Sequence, residues 1–289
     1  MYRAIEDARL EATVLATRPV EGLASGSALL RVGDTLCAVH DDAFMLTRIA
    51  LPTFATSHCV LDGDGAPLPK SEKPDFESAL IGPDGLIYLL GSGGAPPRCR
   101  IARLAPDASA AIAINDRPEL YRCVGDALGT TPNVEGAIVE AERLRLFHRG
   151  TGAAPSATVD VPLGALRGEP PRALNVERFH LGELDGIPLS FTDAAALADG
   201  RCAFVATAED TDDPLLDGPV AGSVIGVLEG RVARWTTLRR TADLPFREKV
   251  EGLAIDADRR GGWILTDADD PARPALLGRI ALAGFGLGA

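Results

Sequence analysis

Short apolar runs, broken by Gly, Asp and Pro, recur along the whole chain. Lys249-Val250-Glu251-Gly252-Leu253-Ala254-Ile255 is one of them, an apolar strand with a carboxylate near its start. Asp75-Phe76-Glu77-Ser78-Ala79-Leu80-Ile81 and Asn133-Val134-Glu135-Gly136-Ala137-Ile138-Val139 repeat it. Glu77 and Glu135 are 58 residues apart, and Glu135 and Glu251 are 116 apart, twice that spacing. The midpoint is Asp193, in Phe191-Thr192-Asp193-Ala194-Ala195. Val20-Glu21-Gly22-Leu23-Ala24 gives the phrase again 56 residues before Glu77. Strand-rich units recurring at about this interval indicate a propeller, because one such unit cannot bury its apolar faces alone.

Each unit reads as strand, tight turn, strand, polar loop, strand. Unit one holds Ser27–Val32, the turn Gly33-Asp34, Thr35–Val39 and Phe44–Ala50. Unit two holds Glu77–Ile81, Leu86–Leu90 and Arg100–Leu104. Unit three holds Glu135–Val139, Leu144–Phe147 and Ala157–Val161. Unit four holds Asp193–Leu197, Cys202–Ala206, Ser223–Leu228 and Arg231–Trp235. Unit five holds Glu251–Ile255, Trp263–Thr266 and Leu276–Ile280, and then runs out. The strand-like stretch Ala8–Leu15 is spare, and it is expected to supply the outer strand of the last blade. That closes the ring and removes exposed sheet edges. The expectation is an all-β, single-domain, five-bladed β-propeller over residues 1–289, closed by an N-terminal strand, with almost no helix.

Two registers stay open. The 58-residue count aligns Asp193 with Glu77, whereas the turn Asp199-Gly200, matched to Asp84-Gly85, aligns Thr192 instead. Glu21 matches the phrase, whereas turn spacing puts Gly26 in its place. One residue of slip turns a side chain to the other face of a strand.

Composition narrows the function classes. The formal net charge is −12, which argues against nucleic acid and anionic membrane surfaces as partners. No run reaches the ~20 apolar residues of a membrane helix, and Met1–Asp7 lacks the apolar core of a signal peptide. A cytoplasmic, monomeric protein is expected. Cys37, Cys59, Cys99, Cys123 and Cys202 make no metal-binding spacing and read as reduced thiols.

In a propeller the first strand of each blade lines the central channel. Glu77, Glu135, Asp193 and Glu251 would then meet at one mouth, with Asp267 nearby. Carboxylates gathered in this way need compensation. Ca²⁺ or Mg²⁺, with these five residues as ligands, is one route. Lys73, Lys249, Arg149 and His40 are candidates for binding a small-molecule ligand, and His148 is a candidate general base. Backbone N–H groups of the next blade are the other route, which would make the glutamates structural. The acidic stretch Glu209, Asp210, Asp212, Asp213 and Asp217 reads as a solvated loop. His58 and His180 have no evident partner.

The Glu-Gly-Leu-Ala phrases at Glu21 and Glu251, with Phe76-Glu77-Ser78 and Val134-Glu135-Gly136, resemble bacterial phytase-like propellers, including the SdiA-regulated group. Unit four, with Phe191-Thr192-Asp193, Ala208-Glu209-Asp210-Thr211 and Gly222-Ser223, resembles an uncharacterised bacterial propeller family. In the phytase relatives acidic channel residues hold Ca²⁺ and basic ones hold phosphate. The resemblance therefore implies a divalent cation with a small anionic or polar ligand at the channel mouth, and ester hydrolysis as the chemistry. A non-catalytic propeller serving as a scaffold for a protein partner is the alternative.

Overall fold

Five sheets correspond to the five units in the computed structural model, which describes residues 1–150, 154–211, 218–241 and 244–286. Blade one is built from Gly26–Val32, Thr35–His40, Met45–Ala50 and Thr56–Val60. Blade two is Phe76–Ile81, Ile87–Gly91, Arg100–Leu104 and Ala111–Asp116. Blade three is Val134–Glu140, Arg143–His148, Ser156–Pro162 and Asn175–His180. Blade four is Ile187–Ala196, Cys202–Glu209, Val220–Glu229 and Val232–Thr237. Blade five takes Lys249–Ile255, Gly261–Asp267 and Leu276–Ala283 from the end of the chain. Its fourth strand is the N-terminal Glu11–Pro19, antiparallel to Leu276–Ala283. Each blade's first strand contacts the next around the circle, and Lys249–Ile255 contacts Gly26–Val32, so the ring closes. The protein is a five-bladed β-propeller.

The chain start does more than close the ring. Tyr2–Arg3 pairs in parallel with the outer strand Asn175–His180 of blade three. Ile5–Glu6 pairs in parallel with Val232–Thr237 of blade four. One N-terminal segment thus laces the outer edges of three consecutive blades, each of which would otherwise present unpaired backbone groups.

The cores lie between blades. Phe191 packs edge-on against Phe147 and Phe204, with ring centroids 5.2 Å apart in both pairs, joining blades three and four. The near absence of helix expected from the sequence needs one correction: Pro118–Leu128 is an α-helix. Proline stands in its first turn, where its missing N–H has no helical partner to lose. Gly129 ends it in the left-handed conformation at φ 75°. Its buried Leu120, Tyr121, Val124 and Leu128 fill the space between blades two and three.

All five inner strands carry a β-bulge at the same place. The extra residue, left out of the ladder, is Ser27, Glu77, Glu135, Thr192 and Glu251 in blades one to five. This settles both open registers. Thr192, not Asp193, is equivalent to the three glutamates. In blade one the position belongs to Ser27, one residue past Gly26, while Glu21 is exposed in a turn before the strand. A bulge twists the strand and re-aims one side chain. Here it decides which residues face the channel mouth and which face the neighbouring blade.

Candidate functional site

The residue following each bulge faces the next inner strand and is small in four blades: Ala28, Ser78, Gly136 and Gly252. The room is limited. A Cβ on Gly136 would stand 2.9 Å from the Ala194 nitrogen, and one on Gly252 would stand 3.0 Å from the Leu29 nitrogen. In blade four this residue is Asp193, and its carboxylate uses the same approach to hydrogen-bond. It accepts from the Ala194 N–H at 2.7 Å and the Leu253 N–H at 2.7 Å, and also from the Leu29 N–H. Asp193 therefore ties blades four, five and one at the channel wall. Burial pushes its pKa well up, and these backbone donors pull the other way. The structure places it among backbone donors and not with the three glutamates, contrary to the metal role expected for it from the 58-residue count.

The bulge side chains divide by length. Ser27 donates to the Phe76 carbonyl at 2.5 Å and Thr192 to the Val250 carbonyl at 2.6 Å, each reaching the residue just before the next blade's bulge. The longer Glu77, Glu135 and Glu251 extend into a polar cavity of about 80 Å³ at the channel mouth. Seven carboxylates line it: Asp41, Asp75, Glu77, Glu135, Glu251, Asp267 and Asp269. Facing them are five cations: Lys70, Lys73, Arg98, Arg149 and Lys249, with Asn133 beside them. Asp75, Asn133 and Lys249 each stand two residues before a bulge glutamate and line the cavity with it.

Most of these charges are paired. Lys73 is seated between Asp41 and Asp75, with its Nζ 2.8 Å from the Asp75 carboxylate. Arg98 holds the other Asp75 oxygen at 3.0 Å, which Ser92 also contacts through its hydroxyl. Arg149 lies against Glu209, at 3.4 Å from Glu251 and 3.7 Å from Glu135. Lys249 reaches Asp269 at 2.8 Å, Glu251 at 3.2 Å and Glu209 at 3.8 Å. Asn133 donates to Glu135 at 2.8 Å. Glu209, expected in a solvated loop, is instead turned inward and also accepts from the Gly218 N–H at 2.9 Å. Asp212, Asp213 and Asp217 of that loop lie outside the described residues.

Glu77 is the exception. It is 8% exposed and lines the cavity, and among the described residues it has no hydrogen bond or ion pair. Burial raises its pKa well above the usual carboxylate range, and Glu135, Asp75, Asp41 and Glu251 push it further in the same direction. Its neighbours respond similarly. Burial raises Glu135 to about 8, with Glu251 and Asp75 adding and Arg149 opposing. Asp267, raised to about 8 by burial and by Glu251, accepts from the Asp269 N–H at 2.8 Å. One oxygen of Asp41 is buried without a partner among the described residues. Asp41, Asp75 and Glu77 each offer an oxygen, all within 4.8 Å of one another.

Of the ligand and metal residues expected from the sequence, Glu77, Glu135, Glu251, Asp267, Lys73, Arg149 and Lys249 share this cavity. The two histidines do not line it. His148 accepts the Asn133 N–H on Nδ1 at 3.0 Å, and burial lowers its pKa to about 4. His40 is bonded at 2.8 Å to Thr47, which contacts His58 at 3.1 Å, and burial lowers His40 to about 4. Both end the second strand of a blade, where they are packed as neutral rings. The cysteines are reduced, and burial raises Cys37 and Cys202 to about 12, the opposite of nucleophile activation.

A family model matches residues 22–282, described as a family of unknown function (DUF6929). The chain belongs to this family. No curated protein matches it. Among solved structures, an α-L-arabinofuranosidase from Podospora anserina in complex with cellotriose is similar at 14% identity. That match covers 96% of this chain and 98% of that one, with a TM-score of 0.53. The PQQ-bound aldose sugar dehydrogenase of Streptomyces coelicolor is similar at 15% identity over 96% of this chain and 99% of that one, with a TM-score of 0.45. These likenesses concern the fold alone. No helix among the described residues is long and apolar enough to cross a membrane.

Proposed function

We propose that the polar mouth of the propeller is a binding site for a hard divalent cation, Ca²⁺ or Mg²⁺, and for a small polar ligand completed by that ion. The carrying observation is Glu77, a buried carboxylate aimed into a cavity where the four best-placed cations already have carboxylate partners. The groups left without a partner at the mouth are therefore oxygen ligands, which favours a cation, taken up with release of their protons, over a free anion. The available donors are carboxylate oxygens and the Asn133 amide oxygen, the set that hard cations take. A cavity of about 80 Å³ has room for an ion and some of its water. The resemblance to phytase-like propellers agrees with a cation in the channel. Binding is better supported than ester hydrolysis, because His148 and His40 are packed away from the cavity.

The test is calorimetry and thermal unfolding of the wild type and Glu77→Gln with Ca²⁺ and with Mg²⁺. A ligand specific to the folded state raises the melting temperature by mass action. The wild type should show saturable binding and stabilisation, and Glu77→Gln should show neither. Absence of both effects in the wild type would sink the reading.

A further inference from the structure

The seat formed by Asp41, Asp75 and Glu77 already contains a cation of the protein's own. We infer that Lys73 is a tethered competitor: its ammonium occupies the cation seat, and a divalent ion binds by displacing it. This rests on the proposed cation site and names how that site is regulated.

Three observations carry it. The Lys73 Nζ lies 2.8 Å from Asp75 and in contact with Asp41, two of the three carboxylates whose oxygens converge within 4.8 Å. The third, Glu77, is more than nine-tenths buried and has no bond to Lys73 or to any other described residue. The second oxygen of Asp41 is buried and also has no partner among the described residues. A single ammonium has satisfied part of an oxygen set that could satisfy a doubly charged ion. The competing charge is also supplied by the right kind of segment. Lys73 lies on the connection between blades one and two, outside any strand. That connection is fastened at the mouth by Leu68 N–H to the Asp42 carbonyl at 2.8 Å and Arg98 to the Lys70 carbonyl at 3.3 Å. Lysine is flexible and binds as a point charge, so its ammonium can leave while these bonds stay. The ammonium and an entering ion would compete for the same Asp41 and Asp75 oxygens and repel each other at that distance.

The chain has three lysines, Lys70, Lys73 and Lys249, so their ammonium signals can be followed singly by ¹⁵N NMR of lysine-labelled wild-type protein. Addition of Ca²⁺ should move the Lys73 signal to that of a solvated lysine and leave Lys249 in place. In calorimetry Lys73→Gln should bind Ca²⁺ at least tenfold more tightly than wild type, and Lys73→Arg should not. Glu77→Gln should abolish binding in either background. Saturable Ca²⁺ binding that leaves the Lys73 signal unmoved overturns the displacement and leaves the cation site standing. Equal affinity of wild type and a folded Lys73→Gln does the same. No binding to either protein, with the Lys73 signal unmoved, overturns both. The NMR readout does not depend on Lys73→Gln folding.

Discussion

Thr192 in blade four donates its hydroxyl to the Val250 carbonyl in blade five at 2.6 Å. It does so from the position where three other blades place a glutamate. One bulge site thus serves two ends. A short hydroxyl side chain is consumed in joining blades, and a longer carboxylate passes that contact and reaches the channel. The joint has a reserve, because Thr207 also donates to Val250, at 3.2 Å. Thr192→Val, which keeps the shape, should therefore cost only about 1 kcal/mol, the usual net worth of one hydrogen bond. Urea unfolding measures it. A loss above about 3 kcal/mol would show that the bulge needs the hydroxyl for its conformation.

Asp193 and Glu77 predict opposite signs for the same chemical change. The Asp193 carboxylate accepts from backbone N–H groups of its own blade and the next. Asp193→Asn turns one acceptor into a donor facing those N–H groups and should destabilise the fold by about 2 kcal/mol. Glu77→Gln removes an unpartnered buried charge and should leave the cation-free protein at least as stable as wild type above neutral pH. Paired denaturation curves in a chelator decide it. The distinction fails if both substitutions shift the midpoint in the same direction.

Stability should fall as pH rises above about 6.5. His40 and His148 have folded pKa values near 4 against an ordinary 6.5, so the unfolded chain binds more protons between those values. Stability from them rises with pH over that window and is complete above it. Glu135 and Asp267 behave oppositely, near 8 in the fold against ordinary values of 4.5 and 3.8. Their protons are held by the folded state, so stability falls as pH rises through this range. The two effects oppose below pH 6.5, and only the carboxylates act from 6.5 to 8. Melting temperature should drop across that upper window, less so in Glu135→Gln and Asp267→Asn. A melting temperature that climbs steadily to pH 8 in a chelator would contradict the assignment.

The N-terminal lacing can be dissected by length. Removing residues 1–7 leaves the fourth strand of blade five intact and strips the short parallel pairs on blades three and four together with the Asp7 ion pairs to Arg9 and Arg234. That form should fold, with a modestly lower melting temperature. Removing residues 1–19 takes away Glu11–Pro19 and exposes the edge of Leu276–Ala283. That form should aggregate or fail to refold, as open edges do. Size-exclusion chromatography separates the outcomes, and a monomeric, folded 20–289 fragment would refute the closure argument.

Some of the mouth could be read from the chain alone. Glu77, Glu135 and Glu251 each sit one place inside an apolar strand, and recurrence put them on equivalent positions. The residue two places earlier in each blade, Asp75, Asn133 or Lys249, lines the mouth beside its glutamate, and of these the sequence singled out Lys249. Counting put Asp193 in the place of Thr192 and Glu21 in that of Ser27, because the blades differ in length. Successive bulge residues lie 50, 58, 57 and 59 apart. A strict period therefore drifts by one residue, enough to exchange a blade staple for a site residue. Arg98 and Glu209 gave no local signal, since each reaches the mouth from a different part of its own blade, outside the repeated phrase.

What the sequence determined by itself is the architecture. Alternating apolar runs at a near-regular interval, with a spare strand at the start and a missing one at the end, admit few arrangements other than a closed ring of five blades. What only the tertiary structure decided is which charges are spent. Arg149 meets its carboxylates across blade boundaries, Lys73 joins Asp41 to Asp75 between blades one and two, and Asp193 finds backbone donors on neighbouring strands. Glu77 finds none among the described residues. Pairing depends on distances of a few ångströms between residues far apart in the chain, and the pattern of apolar and polar positions does not carry that information.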